Sequence, residues 1–400
     1  MQLNVDKTLH KKMQEIRRNL HRHPELAYQE EQTSALIGQQ LTQMGIDFTA
    51  GLATTGIRAE LGTGSGPCVA LRADMDGLPI EEETGLEFSS THSGVMHACG
   101  HDGHVAMLLG AAELLLKKKL AGRVVLLFQP AEESGNGAAA MIADNCLRDV
   151  DMIFSGHIDT HYPVGQLTVD KGLICSYTNP FTIRILGQGG HAAKPHEAVD
   201  AIVVASGLVV NLQTLVSRQI DPAHAAVVTV GHFTAGAVHN VIAEKATLEG
   251  TVRSAHLETR ERIIRGLKRV IRGAGEMCNA EITLTLHDGL PAVVNDEFSY
   301  LIAREAAVAV VGEDNVLSQG YPSLGGGYPS LGGEDFAFYQ QQIPGCMIRF
   351  GAAVEQKAGP AHSCRFDFNE QVLSYGAGWL ATVATRGLIH LQQQCSRTKD

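Results

Sequence analysis

A thiol and an imidazole lie two residues apart at Cys99 and His101, in the segment His97-Ala-Cys-Gly-His-Asp-Gly-His104. Thiolate sulfur and imidazole nitrogen are ligands that Zn²⁺ and related divalent metals prefer. The glycine between them allows the backbone to turn sharply. A buried thiol beside a histidine that caps a helix is the alternative interpretation. The spacing predicts a metal site if other parts of the chain supply further ligands.

Further candidate ligands follow two apolar, β-branched runs that are typical of buried strands. Glu132 and Glu133 come after residues 123–128, and His157 comes after residues 152–154. The carboxyl ends of the strands in an open α/β sheet form one crevice, so we expect these side chains to meet there. Paired acids near a helix N-terminus are also stabilised by the helix dipole, and this simpler interpretation stays open.

Glu132 and Glu133 are adjacent acids that are predicted to have different roles. On an extended backbone, the side chains of Glu132 and Glu133 point in different directions. One carboxylate is therefore expected to bind metal while the other acts as a general base. Asp74 and Asp76 follow the strand predicted at residues 68–71. They either cap the chain or orient the histidine ligands.

The sequence pattern alone assigns no metal-binding or catalytic role to four other polar residues. They are His191, Asn240, Arg253 and His362. A lone loop histidine is more often structural, Asn240 fits a hydrogen-bonded turn, and Arg253 fits a surface charge. These interpretations stay open at this stage.

Composition and charge argue against several classes of protein. The chain has 400 residues, of which 44% are hydrophobic, and a formal net charge of −11. This length suffices for two domains at roughly 150 residues each. No basic block occurs in the sequence, so we expect no nucleic-acid partner. The most apolar run, residues 105–116, contains Glu113 and is too short to span a bilayer, so we expect no membrane association.

The expected location is the cytoplasm. Residues 1–20 are charged throughout and lack the apolar segment of a secretory signal. The eight cysteines show no paired spacing, which favours reduced thiols.

Alternating helix and strand patterns predict an α/β fold with a mostly parallel sheet flanked by helices. The predicted elements of this first part are helices at residues 30–44 and 104–118 and strands at 57–61, 68–71 and from 123 onward. The alternating pattern returns after residue 289 and ends in a helix over residues 370–393.

An inserted unit interrupts this pattern. Its predicted order, strand 181–186, helix 198–216, strands 226–233 and 246–253, helix 258–277 and strand 281–286, is the β-α-β-β-α-β order of a ferredoxin-like domain. We therefore predict a discontinuous domain of residues 1–178 and 289–400 around a second domain of residues 179–288.

Six motifs, in order along nearly the whole chain, resemble those of the aminoacylase and carboxypeptidase family of dimetal amidohydrolases. They point to its branch of hippurate hydrolases, N-acyl-amino-acid deacetylases and indole-acetyl-amino-acid hydrolases. The motifs are Arg72-Ala-Asp-Met-Asp-Gly-Leu-Pro79, the His97 to His104 segment, Phe128-Gln-Pro-Ala-Glu-Glu133, Gly189-Gly-His-Ala-Ala193, Asn240-Val-Ile242 and Gly332-Gly-Glu-Asp-Phe336. The resemblance implies that the inserted unit is a lid or dimerisation domain.

The resemblance also implies site roles and cofactors. Two divalent ions, Zn²⁺, Mn²⁺ or Co²⁺, would be held by Cys99 as bridging ligand and by His101, Glu133, His157 and His362. The implied catalytic residues are Glu132 as base and His191 on the oxyanion, which in some relatives comes from the partner subunit. Asp76, in the orienting role described above, is predicted as a third residue of the catalytic set. The implied substrate-binding residues are Asn240, Arg253 and Gly333.

The implied reaction is hydrolysis of an N-acyl amino acid, such as an N-acetyl or N-benzoyl derivative, to a carboxylic acid and a free amino acid. The implied assembly is a homodimer or a higher homo-oligomer. Alternatives are a dipeptidase or carboxypeptidase of the same family, a metal-free thiol hydrolase with Cys99 as nucleophile, and a non-catalytic binding protein.

One feature departs from the family pattern. Residues 321–327 are repeated with one mismatch as residues 328–334, whereas relatives carry one copy in this pocket-lining segment. The extra copy is expected to change the shape of the substrate pocket more than the stability of the fold, because lengthening a surface loop costs little.

Overall fold

The computed structural model describes residues 5–397 except 63, 65, 135, 319–329 and 355–357. These residues divide into two compact units. The first contains residues 5–174, 293–318 and 335–397, and the second contains residues 175–292 and 330–334. The first copy of the tandem repeat and the start of the second lie outside the described residues.

The helices of the described chain are α1 (Lys7–Arg22), α2 (Glu31–Met44), α3 (His101–Leu116), α4 (Gly137–Ala143), α5 (Ala201–Gln219), α6 (Leu257–Cys278), α7 (Glu297–Val311), α8 (Ala337–Gln340) and α9 (Val372–Arg397). The strands are β1 (Phe48–Leu52), β2 (Gly56–Leu61), β3 (Cys68–Asp74), β4 (Arg123–Gln129), β5 (Met152–Asp159), β6 (Leu167–Thr168), β7 (Gly172–Cys175), β8 (Tyr177–Leu186), β9 (Gly190–His191), β10 (Ala226–Ala235), β11 (Val241–Ile242), β12 (Lys245–Ser254), β13 (Glu281–Leu286), β14 (Val293–Asn295), β15 (Val316–Leu317) and β16 (Gly345–Gly351).

An eight-stranded sheet in the order β1-β2-β4-β3-β5-β16-β6-β15 forms the centre of the first unit. Its four middle strands, β4, β3, β5 and β16, run parallel to one another, whereas β1 and β2 add an antiparallel edge. Every residue of β3 is buried, as expected for a strand that is covered on both faces. The predicted mostly parallel sheet flanked by helices is confirmed.

Helix α3 starts three residues earlier than the sequence pattern indicated. Gly100 adopts a left-handed conformation with φ 91°, which permits the chain to turn and the helix to begin at His101. The Gly100 carbonyl accepts the backbone N–H of His104 at 3.0 Å. The early start is functionally important because it places His101 in the first turn of the helix.

The second unit has the element and sheet order of a ferredoxin-like domain. Its four-stranded sheet is antiparallel throughout, in the order β10-β12-β8-β13, and α5 and α6 pack on it. The ferredoxin-like prediction is therefore confirmed. Within the described residues, α5 alone is long and apolar enough, by length and composition, to cross a membrane. Its residues Val204, Leu208 and Leu212 nevertheless pack in the core of this unit.

Candidate metal centre

Side chains from four parts of the first unit meet next to the N-terminus of α3. Cys99 Sγ lies 3.4 Å from Nε2 of His157, which is near the end of β5. The Glu133 Oε1 atom, in the turn after β4, lies 3.9 Å from His101 Nε2 and 3.3 Å from Nε2 of His362. Potential ligand atoms of these residues lie within 4.8 Å of one another in two groups that share Cys99. The structure thus brings all five predicted ligands together.

Hydrogen bonds select the ring nitrogens that face this cluster. His101 Nδ1 donates to the Asp76 backbone carbonyl at 2.9 Å, and His157 Nδ1 donates to the Ile158 carbonyl at 2.6 Å. When Nδ1 carries the proton of a neutral imidazole, the lone pair is on Nε2. Histidine ligands of metals are usually oriented by such a bond from their other nitrogen.

Asp76 contacts two of the candidate ligands. Its Oδ1 lies 3.2 Å from His101 Nδ1, and its Oδ2 accepts the backbone N–H of Glu133 at 3.0 Å. The side chain is buried. Of the two roles that the sequence allowed, capping the chain or orienting histidine ligands, these contacts support the orienting role.

Sequence reasoning did not assign a role to His104. Its Nδ1 donates to Asp74 Oδ1 at 2.5 Å, and its Nε2 accepts the backbone N–H of Ile158 at 2.9 Å. Arg72 donates to the other Asp74 oxygen at 2.7 Å. This buried chain of hydrogen bonds fixes the end of β5 directly beside His157. The spacing of three residues between His101 and His104 on one helix was the available signal.

Burial and neighbouring charges shift the pKa values of several residues in the cluster. Burial, together with the Glu133 charge, raises the pKa of the Cys99 thiol, and burial lowers the pKa of His157 to about 3. Interaction with the Cys99 sulfur, followed by that with Glu133, raises the pKa of His362 to about 10. A bound cation favours the thiolate and the neutral imidazole, so metal binding is expected to release protons.

The residues fit a pair of divalent metal ions. His101 Nε2 is buried and has no hydrogen-bond partner among the described residues. A buried nitrogen without a partner is unfavourable, and a metal ion would satisfy it. One sulfur, three imidazole nitrogens and one carboxylate form a mixed donor set suited to Zn²⁺, Mn²⁺ or Co²⁺.

The two adjacent acids have different surroundings. They lie in a turn after β4, and not on an extended backbone as predicted from the sequence. Glu133 is half-buried among the histidines, whereas the Glu132 side chain is 9% exposed. Potential ligand atoms of Glu132, Glu133 and His101 lie within 4.8 Å of one another. Glu132 is therefore close enough to act on a water molecule next to the ligands.

Close backbone contact constrains this turn. A Cβ atom on Gly137 would lie 1.7 Å from the Pro130 carbonyl oxygen, so no other residue fits there without movement of the backbone. The Gly137 N–H donates to the Ala131 carbonyl at 3.2 Å. The N-terminus of α4 therefore packs directly on the segment that precedes Glu132.

The other predicted residues lie in the second unit, as two separate pairs. His191 on β9 pairs with Val241 on β11, and the backbone N–H next to His191 donates to the Asn240 carbonyl at 3.2 Å. Arg253 on β12 is half-buried, and its Nη1 would lie 3.4 Å from a Cβ atom on Gly333.

The two pairs lie at opposite ends of β12. Lys245, at the end of β12 next to β9 and β11, pairs with Leu186, whereas Arg253 pairs with Thr178. The rise of about 3.4 Å per residue in an antiparallel strand places Lys245 and Arg253 about 27 Å apart. The His191 pair and the Arg253 pair therefore lie at opposite ends of this strand.

The chain is similar to a known protein family and to individual plant and bacterial hydrolases. The family described as peptidase family M20/M25/M40 matches residues 70–386. The chain is 40% identical over 393 residues to IAA-amino acid hydrolase ILR1-like 5 of Arabidopsis thaliana, covering 96% of this chain and 88% of that protein. It is also 40% identical over 347 residues to an N-acetyl-L-cysteine deacetylase of Bacillus subtilis (strain 168), covering 86% of this chain and 81% of that protein.

A solved structure has the same fold at substantial identity. The Bacillus subtilis YXEP protein, described as a dinuclear metal binding peptidase from the M20 family, superimposes with a TM-score of 0.82. The two chains are 34% identical, and the match covers 96% of this chain and 99% of the other.

Proposed function

Because this chain belongs to peptidase family M20/M25/M40 and is a metallo-amidohydrolase, we propose that it cleaves the amide bond of N-acyl amino acids to a carboxylic acid and a free amino acid. The observation that carries this proposal is the gathering of five candidate ligand side chains, with Cys99 common to both groups, and of Glu132 beside them. The names of the plant and bacterial relatives describe amides of the same class, an acyl group joined to an amino acid.

The proposed ligands of two divalent ions are Cys99, His101, Glu133, His157 and His362. When bound, such ions supply Lewis acidity, which polarises an amide carbonyl and favours the ionisation of water. We propose Zn²⁺ or Mn²⁺, with Co²⁺ as a further candidate.

The proton transfers are assigned to Glu132. Its carboxylate accepts a proton from the attacking water and then donates that proton to the nitrogen of the leaving amine. Burial of this side chain limits competing exchange with bulk solvent. Asp76 supports the reaction by holding His101 and the Glu133 backbone in place.

We propose that four residues of the second unit contact the substrate. His191 would donate a hydrogen bond to the oxyanion that forms at the amide carbonyl. Asn240, Arg253 and Gly333 would contact the carboxylate end of the amino acid.

We further propose that the enzyme is a homodimer. The His191 pair lies beside one end of β12 and Arg253 lies at the other end, and eight residues of strand separate these ends by about 27 Å. If both pairs contact one small substrate, we expect them to come from two copies. The outer surface of α5 supports this assembly, because Val203 and Val210 are 64% and 68% exposed there. Strand β10, beside α5 at the edge of its sheet, also exposes Phe233. Apolar surface of this kind is typical of a protein interface.

A cytoplasmic location is also proposed. The seven cysteines with described side chains form no disulfide. Unpaired thiols are usual in reducing compartments.

A substrate panel tests the proposed function. The protein reconstituted with Mn²⁺ or Zn²⁺ should release free amine from N-acetyl, N-benzoyl or indole-acetyl amino acids, and chelation should abolish this release. Faster cleavage of free dipeptides would favour a dipeptidase instead. Activity that persists after chelation but is lost on thiol alkylation would favour a thiol hydrolase. Binding without turnover across the panel would favour a non-catalytic protein.

The Cys99→Ala variant should bind less metal than the native protein. Removing a ligand that serves both ligand groups should lower the metal content by at least one ion per chain, measured by elemental analysis after dialysis. Cys68→Ala, which removes a fully buried thiol from β3, is the matched control and should keep the native content. An unchanged metal content in Cys99→Ala would contradict the bridging assignment.

A further inference from the structure

Glu30 is a buried carboxylate outside the candidate metal centre. Its side chain is inaccessible to solvent, and burial raises its pKa. Oε1 accepts the backbone N–H groups of Tyr28 and Ala131, both at 3.0 Å, and Oε2 accepts the Thr55 hydroxyl at 2.6 Å. This carboxylate therefore joins three segments that are distant in sequence.

Capping of the neighbouring helix does not explain these contacts. Glu30 directly precedes α2, but its side chain makes no capping hydrogen bond. The first-turn N–H groups of Gln32 and Thr33 donate instead to the Glu25 carboxylate, at 3.0 and 2.9 Å. Glu30 is thus available to hold the segment before Glu132.

The hydrogen bond from Ala131 to Glu30 connects this buried carboxylate to the residue next to Glu132. Ala131 immediately precedes Glu132 and has φ 54°, and Tyr28 has φ 63°. The left-handed region is unfavourable for residues with a Cβ atom and persists only where the surroundings enforce it. Both strained residues donate their N–H to the same oxygen of Glu30. The direction of the Glu132 side chain depends on the backbone conformation of Ala131.

We propose that Glu30 is a positioning residue that holds Ala131 in its left-handed conformation and thereby aims the Glu132 carboxylate at the reacting water. This inference rests on the proposed function, in which Glu132 transfers the proton. Glu30 itself contacts neither the candidate ligands nor the substrate in this scheme.

Two replacements of Glu30 distinguish the effect of its hydrogen bonds from the effect of its negative charge. In Glu30→Gln the side-chain carbonyl can still accept both N–H groups, and the amide can donate to the Thr55 hydroxyl. In Glu30→Met the volume is nearly kept, but every acceptor is lost. Misplacement of a catalytic group by about 1 Å can lower the rate on the order of 100-fold. We expect kcat of Glu30→Met to fall by this order at an unchanged KM, and Glu30→Gln to keep most of the native kcat.

Thr55→Val is the matched control for a purely structural role. It removes the third hydrogen bond of Glu30 but leaves the one to Ala131. It should lower the melting temperature without lowering kcat. All variants should retain the native metal content by elemental analysis.

Hydrogen–deuterium exchange provides a readout that needs no turnover. In the metal-free and the metal-loaded protein, the Ala131 amide should exchange faster in Glu30→Met and remain protected in Glu30→Gln and Thr55→Val. If Glu30→Met does not fold, Glu30→Asp, which is one methylene too short to keep the Ala131 contact, should show the same faster exchange and a reduced kcat.

Native kcat in a Glu30 variant that has lost protection of the Ala131 amide would overturn the inference. So would a loss of kcat in Thr55→Val equal to that in Glu30→Met. Native kcat in Glu132→Gln would instead overturn the proposed function, so the two failures are distinguishable.

Discussion

Replacing Glu132 by glutamine is expected to lower kcat by orders of magnitude while the protein stays folded and keeps its metal. A glutamine side chain of nearly the same shape cannot accept the proton of the attacking water. General acid–base groups contribute about 10²- to 10⁴-fold to rates, and we expect kcat to fall by this amount. The loss should be measured with an N-acetyl amino acid under metal saturation, alongside the metal content.

The adjacent acid provides the matched control. Glu133→Gln alters a group that lies 3.9 Å from His101 Nε2 and 3.3 Å from His362 Nε2. It should lower the metal content, and excess metal should restore part of its activity, whereas Glu132→Gln should not respond to added metal. Near-native kcat in Glu132→Gln would rule this residue out as the base. Equal metal loss in both variants would contradict the assignment of Glu133 as a metal ligand and of Glu132 as the base.

Local sequence signals predicted the elements that carry the ligands. The runs of apolar residues in β3, β4 and β5 indicated buried strands, and polar side chains at their carboxyl ends indicated a crevice. The Cys99 and His101 pair was visible because a glycine separates two ligand types. These features depend on neighbouring residues and on the common edge of a parallel sheet, so they can be read from the sequence.

Long-range contacts could not be predicted in this way. His362 reaches the cluster from a loop, with φ 65° and with its backbone N–H bound to the Ala98 carbonyl at 2.8 Å. No periodic pattern marks such a contact, and the family resemblance alone suggested it. The hydrogen bond between Glu30 and Ala131 was missed for the same physical reason.

Helix α1 was missed for a different reason. Its many charged residues obscured an apolar stripe of Leu9, Met13, Ile16 and Leu20, which are buried along one face. Asp6 accepts the Leu9 N–H at 2.8 Å and caps the helix. A spacing of three and four residues between apolar positions was the available signal.

Mixing two inactive variants is expected to restore activity if each active site is built from two chains. Glu132→Gln chains lack the base but supply His191, whereas His191→Ala chains supply the base but lack the oxyanion donor. Loss of one such donor lowers kcat about 10²- to 10³-fold, so each variant alone should be nearly inactive. In a mixed dimer, the site that contains the native Glu132 would receive the native His191 from the other chain.

The size of the recovery distinguishes this arrangement from a site within one chain. Random exchange makes half of the dimers mixed, and each mixed dimer carries one intact site, so about a quarter of the native activity should return after joint unfolding and refolding. Mixing His191→Ala chains with chains that carry both replacements is the control and should restore nothing, because no site then has both groups. If His191 acted on the centre of its own chain, neither mixture would recover activity, since every site with an intact base would lack its own histidine. The position of His191 beside one end of β12 and of Arg253 at its other end favours recovery, because we expect one small substrate to contact both only where two copies meet.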